Sequence, residues 1–84
     1  MYELREYDYL YDATFYYQFK NDETVVARVK RFFRYLVDLD EGGYERGREE
    51  NMRILHLIKS VRSVDELVEA ISGTRFSLRE KELL

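Results

Sequence analysis

His56 is the first candidate for catalysis, because it is the only histidine among the 84 residues and the chain has no cysteine. Without a second histidine or a thiol, neither a usual nucleophile–base pair nor a usual zinc site can be assembled. At about 100° per residue, His56 falls about 200° from Ile54, on the polar side of its predicted helix. We therefore expect an exposed histidine, and a protein that is not an enzyme and needs no cofactor.

The acidic segment 38–49 is the candidate for metal binding, since it joins two predicted helices and resembles an EF-hand calcium loop. Four residues match the loop positions that supply two carboxylates, a sharp turn and a bidentate glutamate: Asp38, Asp40, Gly43 and Glu49. Three others depart from the pattern. Gly42 lacks a side-chain ligand, Glu45 stands where paired EF-hands have an apolar residue, and Arg46 places a cation near the ion. No second loop is available for pairing. We expect an acidic turn between helices rather than a metal site.

Arg28, Arg31 and Arg34 recur every three residues within a stretch that contains no acid. In a helix, these arginines and Tyr35 point away from the stripe of Val and Phe residues. Guanidinium and phenol groups side by side suit a phosphate, a carboxylate or a stacked base. The alternative is a solvated helix face on which Arg34 pairs with Asp38, four residues later.

Two further sets of side chains suit contact with a partner. The segment after the arginines has six acids against two arginines, and its carboxylates could occupy the phosphate-binding groove of a nucleic-acid enzyme. The acidic candidates are Asp38, Asp40 and Glu41. The chain also has eight tyrosines, a residue type enriched with arginine at interface hot spots. A two-stranded hairpin buries only one face well, so some tyrosines should stay exposed. The candidates are Tyr7, Tyr9 and Tyr16.

Residues 7–20 alternate between mainly aromatic residues at odd positions and mainly polar residues at even positions. A period of two that is rich in aromatic residues favours β-strands. The odd parity holds throughout, which favours a three-residue connection near 12–14, or one long bent strand, over a two-residue turn. The alternative is a helix, because Leu4, Tyr7 and Tyr11 also have near-helical spacing.

Four later segments have the period or the caps of amphipathic helices: 22–40, 45–62, 64–72 and 78–84. Capping boxes that begin at Ser63 and Ser77 mark the starts of the last two. The segment 65–84 also resembles a helix-turn-helix. Its presumed recognition helix is neutral, however, and its two glutamates would be repelled by phosphate. We therefore expect two ordinary capped helices.

The fold class predicted from these elements is α+β. A tyrosine-rich N-terminal hairpin is followed by three to four packed helices in a single domain of residues 1–84, and the alternative is an all-α bundle. A compact chain of this mass buries roughly 64% of its unfolded surface, enough for one core. No apolar run exceeds three residues, so we expect no membrane span. The absence of cysteine and of a signal-peptide pattern after Met1 favours the cytoplasm.

The function that these features favour is a non-enzymatic protein-binding module that occupies the surface of a partner protein, for example the groove in which that partner binds nucleic acid. Small acidic domains rich in tyrosine and charge are typical of inhibitors and accessory proteins of phages and mobile elements, an argument by analogy only. The alternative is a small nucleic-acid-binding or transcription-regulating domain. The net charge of −3 makes nucleic acid the less favoured partner.

Overall fold

The computed structural model describes residues 1–9, 11–19, 25–39 and 45–81. These residues form three strands and three helices, in the order β1 (Tyr2–Asp8), β2 (Ala13–Phe19), α1 (Val25–Leu39), α2 (Glu45–Ile58), α3 (Val64–Ile71) and β3 (Phe76–Glu80). The strands form one antiparallel sheet in the order β2-β1-β3. The fold is therefore mixed α+β, as predicted, and the alternative of an all-α bundle is wrong.

The hairpin turns earlier than the alternation predicted. β1 and β2 pair along their whole lengths, so residues 9–12 connect them. Asp12 closes this turn in the left-handed conformation (φ 48°), which Asp tolerates better than most residues do. The predicted connection at 12–14 and the constant parity are therefore wrong. The helix-facing side of β1 carries the even-numbered Tyr2 and Leu4, which precede the alternating segment, whereas that of β2 carries odd-numbered residues.

The predicted fourth helix, 78–84, is wrong because its first residues lie in β3, while its last three lie outside the described residues. Phe76 and Leu78 are buried and alternate with exposed residues, which is the period of a strand. Pairing with the central strand β1 outweighs the local match to a capping box at Ser77. The helix-turn-helix interpretation of 65–84 is wrong for the same reason.

The three earlier helices are confirmed in the described residues, and α2 and α3 end earlier than predicted. Residues 22–24 and 40 of the first predicted helix lie outside the described residues. Val25, Val29 and Phe33 of the predicted stripe are buried on α1. α3 begins where its capping box predicted, since the Ser63 Oγ accepts a hydrogen bond from the Glu66 N–H at 3.2 Å. Periodicity and caps therefore locate these helices correctly.

α2 ends at Ile58, short of the predicted 62, where Lys30 of α1 closes its C-terminus. The Lys30 Nζ donates to the main-chain oxygens of Lys59 (3.2 Å) and Val61 (2.6 Å). A cation at this end of a helix satisfies carbonyls that lack intrahelical partners and interacts favourably with the helix dipole. Lys30 therefore ties α1 to the end of α2.

The core lies between the helices and one face of the sheet, with Leu4 of the central strand fully buried. Phe33 packs edge-to-face on Phe76 of β3, with ring centroids 4.7 Å apart, and Phe32 packs on Tyr17 of β2 at 4.5 Å. α1 therefore reaches across the sheet from β3 to β2. Within the described part of the chain, no helix is both long and apolar enough to cross a membrane.

Candidate protein-binding surface

The face of the sheet that points away from the helices is polar and aromatic. Tyr7 and Tyr16 lie on it and are 41% and 55% exposed. The strand register places Tyr16 opposite Arg5 and diagonal to Tyr7, within reach of long side chains. Two of the predicted tyrosines thus lie near each other on an exposed face, beside an arginine.

Tyr9 and Tyr11 extend this surface to the tip of the hairpin, where they are 65% and 67% exposed. The tip is held by the Tyr7 hydroxyl, which donates to Asp12 Oδ1 at 2.7 Å, and by a longer bond from the Tyr11 N–H to an Asp8 oxygen. The hydrogen bond to Asp12, assisted by burial, raises the pKa of Tyr7 above its ordinary value. We call the exposed aromatic residues of this hairpin the hairpin aromatic patch: Tyr7, Tyr9, Tyr11, Phe15 and Tyr16.

The arginine ridge, which consists of Arg28, Arg31 and Arg34, lies exposed on α1, as does Tyr35. All four side chains are on the helix face that the periodicity predicted. The ridge belongs to the helix layer and the aromatic patch to the hairpin, so the candidate residues form two surfaces rather than one. The proposed pair between Arg34 and Asp38 stays a prediction.

The acidic candidates are only partly described. Asp38 is exposed in the last turn of α1, and Asp40 and Glu41 lie outside the described residues. The segment 38–49 is interrupted in the same way, so its interpretation as an acidic turn stays a prediction. Among the residues that the structure describes, no three histidine or acidic side chains lie where they could hold a metal ion together.

His56 is exposed on α2, as predicted. A cleft of about 210 Å³ lies between α2 and the turn before β3, and its lining includes Glu50, Arg53 and Thr74. This volume is below the range of about 300–1,000 Å³ that is usual for small-molecule sites. His56 is not part of the lining, so the cleft supplies no partner for it.

Glu3 is a buried carboxylate that sequence reasoning missed. Its side chain is 2% exposed and accepts hydrogen bonds from Arg79 (2.9 Å to Nη2) and Lys81 (3.2 Å to Nζ). Burial alone would raise the pKa of Glu3, but the hydrogen bonds and charges of these two cations outweigh it and lower the pKa below 4.5. The resulting ion cluster lies on the face of the sheet that points away from the helices, where β1 pairs with β3.

The Glu3 cluster should make the fold sensitive to acid. Because the pKa of Glu3 is lower in the folded state, the unfolded chain takes up the proton first as pH falls. The stabilisation is present above pH 4.5 and is lost as pH falls through the lowered pKa. We expect urea denaturation midpoints to fall more steeply with pH in the wild type than in Glu3→Gln. Glu69→Gln, which changes an exposed acid, is the control and should follow the wild type. Identical slopes for Glu3→Gln and wild type would contradict the assignment.

Arg75 is the centre of a second ionic network that the sequence did not reveal. Its Nε donates to Glu6 Oε2 at 3.0 Å, and its Nη2 donates to Asn51 Oδ1 at 2.6 Å. Its Nη1 lies 3.1 Å from a Glu50 oxygen but outside hydrogen-bond geometry. The Tyr17 hydroxyl donates to the other Glu6 oxygen at 3.0 Å. The network therefore links β1, β2, α2 and the turn before β3.

Tyr17 should ionise at a higher pH than an ordinary tyrosine. Burial, and then the charge and hydrogen bond of Glu6, raise the pKa of Tyr17 from 10.0 to about 12. The protonated phenol is favoured by the fold, so its stabilisation is present below pH 10 and is lost as pH rises toward 12. In a titration of phenolate absorbance, Tyr17→Phe should remove the highest step and Glu6→Gln should move it to lower pH. Tyr16→Phe is the control and should keep that step. Its survival in Tyr17→Phe would refute the assignment.

Both ionic networks escaped sequence reasoning because their partners are far apart in the chain. Arg75 and Glu6 are separated by 69 residues, and Lys81 and Glu3 by 78. No period or short motif connects residues at such distances.

The surfaces described above are the basis for any functional inference. No family model matches the chain, and neither a curated protein nor a solved structure shows significant similarity to it. The candidate function must therefore come from the chemistry of the hairpin aromatic patch and the arginine ridge.

Proposed function

We propose that this protein is a non-enzymatic binding module that acts by occupying the surface of a partner protein. The hairpin aromatic patch is the observation that carries this proposal. Its five side chains are between 41% and 67% exposed. Tyr7 and Tyr16 share the face that points away from the helices, Tyr9 and Tyr11 lie at the tip, and the register places Phe15 on the helix-facing side next to the tip. Contiguous exposed apolar surface is uncommon on monomers and marks interaction sites. Tyrosine and arginine are also the residues most often found at the energetic centres of interfaces.

The core does not explain why these aromatic residues are present. The helix-facing side of the hairpin already supplies Tyr2, Leu4, Tyr17 and Phe19 to the packing against the helices. Tyr7 and Tyr16 on the other face, and Tyr9 and Tyr11 at the tip, make no such packing. A partner that covered them would gain about 25 cal/mol for each Å² of apolar surface removed from water.

The patch is also held in a fixed geometry. Pairing of β1 with β2 positions Tyr7 and Tyr16, and the hydrogen bond from Tyr7 to Asp12 braces the turn that carries Tyr9. Side chains that are already ordered lose less entropy when a partner binds. A module of this kind would act as an inhibitor or accessory protein, and by analogy in composition we assign it to the phage and mobile-element class.

The test of the proposal is affinity capture with matched variants. The first variant is Tyr9→Ser/Tyr11→Ser, which removes the two most exposed aromatic residues, and its control is Met52→Ser/Leu57→Ser on α2, where both side chains are 49% exposed. Proteins captured from cells of the source or its host are identified by mass spectrometry, and the affinity of each purified candidate is measured by calorimetry. We expect a partner that binds the wild type and the control but binds the tyrosine variant at least about tenfold more weakly.

Two outcomes would contradict the proposal. The first is that no purified candidate binds the wild type. The second is equal weakening of binding by both variants, because that would show non-specific adhesion through exposed apolar side chains. Circular dichroism should show that all three proteins are folded before binding is compared.

Nucleic-acid binding is the second candidate function, and the exposed arginine ridge with Tyr35 beside it is the observation that favours it. Guanidinium groups contact phosphates and a tyrosine ring can stack on a base. A nucleic-acid binder should be retained on heparin or DNA resin at low salt and released as salt rises. Flow-through at low salt would exclude this alternative.

A further inference from the structure

The main-chain groups at the outer edge of β2 can be assigned from the hydrogen bonds of its neighbours. The Tyr7 N–H donates to the Arg75 oxygen, and the Lys81 N–H donates to the Met1 oxygen. The main-chain N–H and C=O groups of the odd-numbered residues of β1 therefore point toward β3. Main-chain groups of successive residues in a strand point to opposite sides. The even-numbered residues of β1 therefore point toward β2.

The register then determines which residues of β2 face outward. The even-numbered residues of β1 pair with the odd-numbered residues of β2. The main-chain N–H and C=O groups of these odd-numbered residues must therefore point toward β1. Thr14, Tyr16 and Gln18 therefore direct their N–H and C=O groups away from the sheet. In the described residues, no other strand or turn forms main-chain hydrogen bonds with this edge.

The two edges of the sheet differ in how they are protected. At the β3 edge, the N–H and C=O of Phe76 both contact the Thr74 hydroxyl, at 3.2 and 3.4 Å, and the strand carries charged residues. β2 has seven residues, Ala-Thr-Phe-Tyr-Tyr-Gln-Phe, with neither a charge nor a proline. Natural proteins usually blunt an edge with such residues, because an open edge accepts another strand. β2 therefore lacks the features that usually block the addition of another strand.

The chemistry of the incoming strand follows from the helix above the edge. Phe33 contacts β3 and Phe32 contacts β2. Because successive residues of a helix are about 100° apart around its axis, going round α1 from Phe33 to Phe32 leads from β3 toward the β2 edge. Going a further 40° to 100° or so in the same direction reaches Arg28, Tyr35 and Arg31. All three are exposed. The flank of α1 beyond β2 is therefore positively charged.

We propose that β2 takes up an extended acidic segment of a partner protein as a fourth strand of the sheet. Strand addition supplies affinity through main-chain hydrogen bonds, and alternate side chains supply specificity. Acidic side chains of the added strand on the helix side would meet Arg28 and Arg31. The inference rests on the proposed function and specifies where and how its partner binds.

A second copy of this chain fits the same edge less well. Pairing of β2 with itself about a two-fold axis would place both helix layers on the same side of the joined sheet. The positively charged flanks of the two α1 helices would then approach each other, and like charges at an interface are unfavourable. An acidic partner strand has no such conflict.

The test uses two synthetic heptapeptides with blocked termini, one alternating Glu with Val and the other alternating Lys with Val. Each is titrated into the isotopically labelled protein while amide resonances are followed. We expect the Glu peptide to shift the outward amides of Thr14, Tyr16 and Gln18, to slow their hydrogen exchange, and to leave Leu78 and Glu80 unchanged. The Lys peptide should shift none of them.

Two matched proline variants test the edge itself. Gln18→Pro removes an outward donor from β2 without removing a hydrogen bond to β1, and Glu80→Pro does the same at the β3 edge. Gln18→Pro should weaken binding of the Glu peptide at least about tenfold, and Glu80→Pro should not. Arg28→Glu/Arg31→Glu, which leaves the main chain intact, should also weaken it at least about tenfold.

Four results would overturn the inference. Two concern the peptides: no shift of the β2 amides with millimolar Glu peptide, or equal binding of the Lys peptide. The others are unchanged binding of the Glu peptide by both Gln18→Pro and Arg28→Glu/Arg31→Glu, or dimerisation through β2 without peptide. The proposed function is tested separately. If a captured partner depends on Tyr9 and Tyr11 but binds Gln18→Pro as well as wild type, the module binds proteins by another route and only the strand-addition inference fails.

Discussion

Replacing Arg75 with methionine should lower the free energy of unfolding by about 3 kcal/mol, because it leaves a largely buried carboxylate without its cation. Arg75 and Glu6 are each 15% exposed and are joined by a hydrogen bond of 3.0 Å. The guanidinium also lies 4.3 Å from the centre of the Phe76 ring, where the two groups attract each other. Methionine keeps much of the apolar stem but none of these interactions.

The measurement is urea denaturation of Arg75→Met beside two companion variants. Arg53→Met changes an exposed arginine on α2 and should stay within about 0.5 kcal/mol of the wild type. Adding Glu6→Gln to Arg75→Met should recover much of the loss, since it removes the unpaired charge and retains an acceptor for the Tyr17 hydroxyl. A loss in Arg75→Met no larger than in Arg53→Met would show that the network does not stabilise the fold.

Local pattern predicted the helices well, because their determinants lie within a few residues. The Val and Phe stripe of α1 and the capping box at Ser63 are set by neighbours three or four positions apart. β3 was mispredicted because a capping-box match at Ser77 competes with pairing to a strand at the other end of the chain. Where a short motif is compatible with both a helix and a strand, pairing with a distant strand determines which of the two forms.

The part of the candidate surface that lies on a helix could be predicted from local sequence, whereas the part on the hairpin could not. Exposure of the arginine ridge follows from helical period alone, and it is confirmed. The exposed sides of Tyr7 and Tyr16 depend on where the hairpin turns, because the constant parity that was predicted would have put these two tyrosines on opposite faces, whereas the observed register puts them on the same face. Burial of Glu3 could not be predicted, since isolated glutamates are normally exposed and its cations come from the far end of the chain.

Changing Arg28, Arg31 and Arg34 together to glutamate should abolish partner binding while leaving the melting temperature nearly unchanged. The three side chains are exposed, so each change should cost within about 0.5 kcal/mol of stability. An acidic strand on the neighbouring edge would instead meet like charges at positions 28 and 31, while position 34 lies about 60° farther round the helix. These like charges should weaken association at least about a hundredfold. The readout is the dissociation constant of the Glu-containing heptapeptide and of a captured partner, together with thermal denaturation of each variant.

The matched control is Arg48→Glu/Arg53→Glu/Arg62→Glu, which makes the same change of net charge at exposed positions outside α1. It should bind nearly as the wild type does, so a loss confined to the ridge variant identifies a local contact rather than a change in overall charge. A second variant, in which Asp38, Asp40 and Glu41 are changed to lysine, tests whether the acidic residues rather than the arginines bind the partner. Loss only through the arginines supports an acidic ligand, and loss only through the acids supports mimicry of nucleic acid. If ridge and control variants weaken binding equally, the ridge is not an interface, and the hairpin aromatic patch alone must account for recognition.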